Sequence, residues 1–88
     1  MAPVKVRVLF FASLREVMGT EMIEIELIEG ANFTDLYSEL YKRFGQARTE
    51  LIKASGVRIA VNQDLIHGRH LRLNEDDEIA FLPPVTGG

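Results

Sequence analysis

The chain has 88 residues, 47% of them hydrophobic and 26% charged, with a formal net charge of −3 at pH 7 and no cysteine. A chain of this length makes one small domain that buries about 60–65% of the surface its unfolded form exposes, which leaves no room for an elaborate catalytic cleft. The apolar content supports a core and excludes a disordered chain. The acidic balance disfavours nucleic acid and anionic membrane and suits a basic protein partner, and without cysteine there is no disulfide, thiolate nucleophile or cysteine-ligated metal. No apolar run approaches a membrane span, and the opening residues, interrupted by Lys5 and Arg7, do not lead into a signal peptide; the expected setting is a reducing cytoplasm.

Residues 4–11 alternate apolar with basic before turning wholly apolar, and so predict a strand. Residues 12–18 form a helical turn stopped by Gly19, and residues 21–27 alternate acid with hydrophobe as a second strand, paired with the first. After a turn at 29–31, Asn32 caps a helix that begins near Phe33, with Asp35 placing a carboxylate at the positive end of its dipole. Phe33, Leu36, Tyr37, Leu40, Tyr41 and Phe44 recur at helical spacing as one apolar stripe, with the tyrosine hydroxyls at its rim, and Gly45 ends the helix. Residues 47–54 add a shorter helix, Gly56 turns the chain, and a strand over 57–61 is closed by Asn62, Gln63 and Asp64. Leu65 and Ile66 make a short edge strand. Residues 71–73 lead into a turn at 74–77, and the last strand runs over 78–82. One amphipathic helix across a small sheet, in the order β-β-α-β-β, gives an α+β fold in which the first and last strands can lie side by side and parallel at the centre, and the whole resembles the ubiquitin-like β-grasp. The domain occupies residues 1–82 and a tail occupies 83–88.

The tail is Pro83, Pro84, Val85, Thr86, Gly87 and Gly88. Each proline fixes φ and lacks an N–H, so the last strand must leave its sheet at Pro83 and project outward. At about 3.1 Å per residue in extended geometry, these six residues reach about 19 Å from the domain. Two terminal glycines carry no Cβ and can thread a slot that excludes larger residues. The tail therefore reads as a probe that delivers the Gly88 carboxylate into another protein's active site; a bare Gly-Gly alone would read as a frayed end.

A family resemblance rests on Leu9, Phe10, Phe11 and Ala12 with Arg15, Glu16, Gly19 and Thr20, then residues 60–63, then residues 77–88. Together these resemble the small-subunit family of molybdopterin synthase from end to end, departing where Leu82 replaces a frequent Phe and Asp76 replaces a frequent Gly. The resemblance implies a sulfur carrier with no bound cofactor, which is a non-catalytic subunit of a sulfurtransferase. A ubiquitin-activating-like adenylyltransferase would use ATP to adenylate Gly88, and a sulfur donor would convert it to a thiocarboxylate. The tail would then enter a large catalytic subunit, in a heterotetramer, and give its sulfur to cyclic pyranopterin monophosphate to build the molybdopterin dithiolene. A ubiquitin-like protein modifier conjugated through Gly88, or a carrier for thiamine or tRNA thiolation, would use the same terminus, whereas a plain β-grasp interaction module would not need it.

Phe11, Phe81 and Leu82 are candidates for an apolar partner patch at the root of the tail, although strand aromatics also serve as core. Glu75, Asp76 and Asp77 either steer docking onto a basic partner or are a solvated turn. His67 and His70 lack further ligands nearby in sequence, and no metal is assigned.

Overall fold

The computed structural model describes residues 2–66 and 71–84. Strand β1 (Val4–Phe10) pairs antiparallel with β2 (Met22–Leu27), from Val4 opposite Leu27 to Leu9 opposite Met22. Between them sits helix α1 (Ser13–Met18), which Gly19 ends at φ 76°. Helix α2 (Phe33–Phe44) starts at a full capping box. The Asp35 N–H donates to Asn32 Oδ1 at 3.2 Å and the Asn32 N–H to Asp35 Oδ2 at 3.0 Å, satisfying two of the donors that a helix start leaves unpaired. Helix α3 (Gln46–Ile52) follows Gly45 directly. The amine of Lys53 lies 5.1 Å and 5.2 Å from the ring centres of Tyr37 and Tyr41 and donates to the Tyr41 hydroxyl, which raises its pKa.

Strands β3 (Arg58–Val61) and β4 (Asp64–Ile66) form a hairpin, and β5 (Glu78–Leu82) completes a sheet in the order β2-β1-β5-β3-β4. β5 is parallel to β1, with Arg7 opposite Glu78 and Phe10 opposite Phe81, and antiparallel to β3, with Arg58 opposite Leu82. Val57 therefore precedes its strand. Asp64 belongs to β4, so the expected three-residue turn is a two-residue loop of Asn62 and Gln63 at φ 52° and 72°. Positive φ at both positions matches a type I′ turn, whose twist suits a hairpin.

One face of the sheet packs on α2. It contributes Val6, Val8 and Phe10 from β1, Ile25 and Leu27 from β2, Ile59 from β3, and Ile79 and Phe81 from β5, all buried against Phe33, Leu36, Tyr37 and Leu40. Phe81 has no exposed surface: its ring stacks on Phe10 at 5.9 Å and 18° and meets Tyr37 at 6.2 Å. That corrects its assignment to a partner patch, because strand alternation turns Phe81 inward with Ile79. The Tyr37 hydroxyl is buried as well, so only Tyr41 carries its hydroxyl at the rim.

The turn before β5 is pinned from two sides. Asp76 donates its N–H to the Lys5 carbonyl at 2.8 Å, and the Asp77 carboxylate accepts from the Asn74 N–H at 2.8 Å and the Asn62 amide at 2.9 Å. Asn62 Oδ1 in turn accepts the Glu78 N–H at 3.0 Å, joining the β3–β4 loop to the start of β5. Asp76 sits at φ 67°, which explains why glycine would be at home there and why a short polar residue is tolerated.

Two stability measurements test this description. Phe81→Ala should cost about 3–5 kcal/mol in urea unfolding, a large part of the total for a domain of this size, through the cavity it leaves. Gln63→Gly should add about 0.5–1 kcal/mol, because glycine accepts the left-handed conformation that glutamine is forced into; unchanged stability would mean that the loop holds no strain.

Candidate functional site

Residues at one register line up across the sheet face that α2 leaves open. Leu9 stands opposite Met22 on one side and Ala80 on the other, Ala80 stands opposite Ala60, and Ala60 opposite Leu65. The result is an uncharged row crossing all five strands. Its two ends, Met22 and Leu65, are 45% and 46% exposed, while the alanines between them form a low floor.

The row on the N-terminal side of β1 and β5 is charged. Arg7 lies between Glu24 and Glu78, and beyond it Lys5 lies opposite Glu26, so acids and bases alternate across the strands in an arrangement that favours pairing. The row on the other side contains Leu82 opposite Arg58, and it extends to Phe11, whose N–H donates to the Phe81 carbonyl at 3.1 Å. Phe11 is 43% exposed and Leu82 is half-buried. Together with Arg58, Ala60, Leu65 and Ala80 they line a shallow groove of about 290 Å³, with Gln63 and Glu78 at one end.

The chain leaves the sheet beside this groove. Leu82 ends β5, and Pro83 and Pro84 follow outside any regular element, Pro83 half-buried and Pro84 exposed. Val85, Thr86, Gly87 and Gly88 lie outside the described residues, as do His67 and His70. Of the residues expected at the tail root, the structure thus brings Phe11 and Leu82 together in the groove and sends Phe81 into the core. Arg58, Ala60, Leu65 and Ala80 were missed by sequence reasoning. The signal was present in the strand parity that sets Ala60 and Ala80 apart from Ile59 and Phe81, but small residues attract no notice until register makes them neighbours.

The acidic run is at the other end of β5. Six residues of near-extended chain put Asp77 about 20 Å from Pro83, and the carboxylates of Glu75 and Asp77 are already engaged, Glu75 accepting the Lys5 N–H and Asp77 accepting from Asn62 and Asn74. A second depression, of about 390 Å³, lies between β2 and α2 and is lined by Glu26, Asp35, Glu39 and Lys42 among others. It is remote from the tail, since Leu27 pairs with the first residue of β1. Among the described residues, no group of three histidine, aspartate or glutamate side chains is placed to hold a metal, and no helix is long and apolar enough to cross a membrane. The groove and the adjoining row form one partly exposed, mainly apolar surface beside the point where the chain leaves the sheet. Among the described residues, the titratable side chains that line the groove are Arg58 and Glu78.

The ThiS family matches residues 8–88. A molybdopterin synthase sulfur carrier subunit from Escherichia coli (strain K12) is 39% identical over 85 residues, covering 94% of this chain and 99% of the relative. The solution structure of the small archaeal modifier protein 1 from Methanosarcina acetivorans superposes with a TM-score of 0.78 at 27% identity, covering 100% of both chains. A protein–protein complex of subunits 1 and 2 of the molybdopterin-converting factor from Helicobacter pylori 26695 contains a chain that matches at a TM-score of 0.68 and 26% identity, over 97% of this chain and 100% of that one. From the middle of β1 to its last residue, the chain belongs to the ThiS family of ubiquitin-like β-grasp proteins, alongside the sulfur carrier subunits of molybdopterin synthase.

Proposed function

We propose that this protein is the sulfur carrier subunit of a molybdopterin synthase, and that its reactive group is the Gly88 carboxylate. The observation that carries the reading is the coincidence of an exposed apolar surface with the exit of a Pro-Pro, Gly-Gly tail, in a chain 39% identical to a relative of that name. A carboxylate is a poor electrophile until one oxygen becomes a good leaving group. A Gly88 oxygen would attack the α-phosphorus of ATP in an adenylyltransferase partner, releasing pyrophosphate. A sulfur donor at the oxidation level of sulfide would then add to the acyl adenylate and expel AMP, leaving a thiocarboxylate. This nucleophile requires no cysteine, and the chain has none. In a large catalytic subunit the thiocarboxylate would deliver sulfur to cyclic pyranopterin monophosphate, in two rounds, within a cytoplasmic heterotetramer. Binding of the pterin and proton transfer would fall to the large subunit, because among the described residues Phe11, Leu82, Pro83 and Pro84 at the tail root carry no general acid or base.

The open face gives the partner something to hold while the tail is inserted. A large subunit seated over Phe11, Leu82 and the row from Met22 to Leu65 would bury apolar surface beside the exit point, as an interface core does. The assembly of subunits 1 and 2 from Helicobacter pylori supports a partner of that kind. Similarity to a small archaeal modifier supports the second reading, conjugation of adenylated Gly88 to a target lysine.

Intact-mass analysis after incubation with an activating enzyme, ATP and sulfide should find one terminal oxygen replaced by sulfur at Gly88. An unchanged mass, with an enzyme shown active on a known carrier, would rule out the carrier reading, and an isopeptide adduct to lysine would favour the modifier. Leu65→Glu should change unfolding free energy by no more than about 0.5 kcal/mol, because the side chain is on the surface. It should weaken large-subunit binding about 10- to 100-fold by calorimetry; parental affinity would remove the open face from the interface.

A further inference from the structure

The ladder that ties β5 to β3 cannot continue into Pro83 and Pro84, because neither has an N–H to donate. Pro84 nevertheless keeps the register. Arg58 stands opposite Leu82, and two residues further along each strand direction Gly56 meets Pro84. A Cβ built on Gly56 would lie 3.1 Å from Pro84 Cβ and 3.7 Å from its Cγ, so the proline would have to give way by a few tenths of an ångström. At Gly19, Gly30 and Gly45, a Cβ would meet nothing within 4 Å. Gly56 is thus the one described glycine whose missing side chain faces another segment. It also has φ 94°, within a turn closed by the Val57 N–H donating to the Ala54 carbonyl at 3.2 Å.

We propose that Gly56 is a positioning residue for the tail: its bare backbone is the seat against which Pro84 rests, holding the segment that leaves β5 in line with that strand. With no hydrogen bond available from either proline nitrogen, van der Waals contact sets the direction at this point. The fixed φ of two successive prolines passes it to the residues beyond. The proposal rests on reading the tail as the reactive group, and concerns how that group is aimed. Misplacing a reacting group by 1 Å can cost about 100-fold, so a shift of a few tenths should cost about fivefold to twentyfold.

A double-mutant cycle with an independent structural readout tests it. In the unmodified protein, nuclear Overhauser contacts should join the Gly56 Hα protons to the Pro84 ring. Gly56→Ala should lower kcat/KM for adenylation by the activating enzyme about tenfold, chiefly through kcat. In a Pro84→Gly background the same substitution should cost no further activity, since no ring remains to displace. The fall in melting temperature that alanine suffers at positive φ should be nearly equal in both backgrounds, so a purely structural role would leave the activities additive. Additive activity losses, or absence of the Overhauser contacts, would overturn the proposal. Failure of the unmodified protein to be adenylated would overturn the reading of the tail instead, with the contacts still deciding whether Gly56 seats Pro84.

Discussion

Parallel strands cannot be joined by a tight turn, and the pairing of β1 with β5 therefore shapes the whole domain. With Arg7 opposite Glu78 and Phe10 opposite Phe81, the chain between them must cross the sheet, and it does so as α2 and α3 on one face. The first and last strands become neighbouring inner strands, flanked by β2 and by the β3–β4 hairpin. Their C-terminal ends point the same way. As a result the tail emerges from the middle of the sheet's end beside Phe11, where a partner can contact the domain on several sides of it.

The same pairing divides the labour of the sheet's two faces. The face under α2 is closed by aromatic rings, with Phe10 stacked on Phe81 and meeting Phe44 edge-on at 5.9 Å and 84°. Such contacts favour one arrangement of the core and so fix the height and direction of β5. Among the described residues the open face carries no helix, and it is graded along the strand direction, from alternating charges near the start of β1 to an uncharged row and then the Phe11 and Leu82 surface at the exit. Charges distant from the exit keep most of that face in water, and apolar area is exposed where a partner would cover it.

Non-glycine residues at positive φ gather at the turns that bound the inner strands: Ala12 after β1, Asn62 and Gln63 after β3, and Asp76 before β5. Each turn is held by hydrogen bonds from neighbouring segments, most clearly where Asn62 and Asp77 bind one another and the start of β5. Unfavourable backbone conformations persist where surrounding contacts determine them more strongly than local preference does. Here they fix the ends of β1, β3 and β5, and the registers of those strands assemble the exit surface.

Period and punctuation in the sequence were enough to determine the main elements, the cap at Asn32 and the exit of the chain from its sheet at Pro83, because helical spacing, strand alternation and proline each act through local geometry. Its alternation also contained the facing of Phe81, but the attraction of an aromatic beside the tail obscured that parity. Tertiary structure alone decided that Ala60, Ala80 and Leu65 form one row, that Asp77 is spent on Asn62 and Asn74, and that Gly56 lies against Pro84. Those relations join residues up to 28 positions apart. They depend on strand register, which is set by the packed core as a whole and is written in no short stretch of chain.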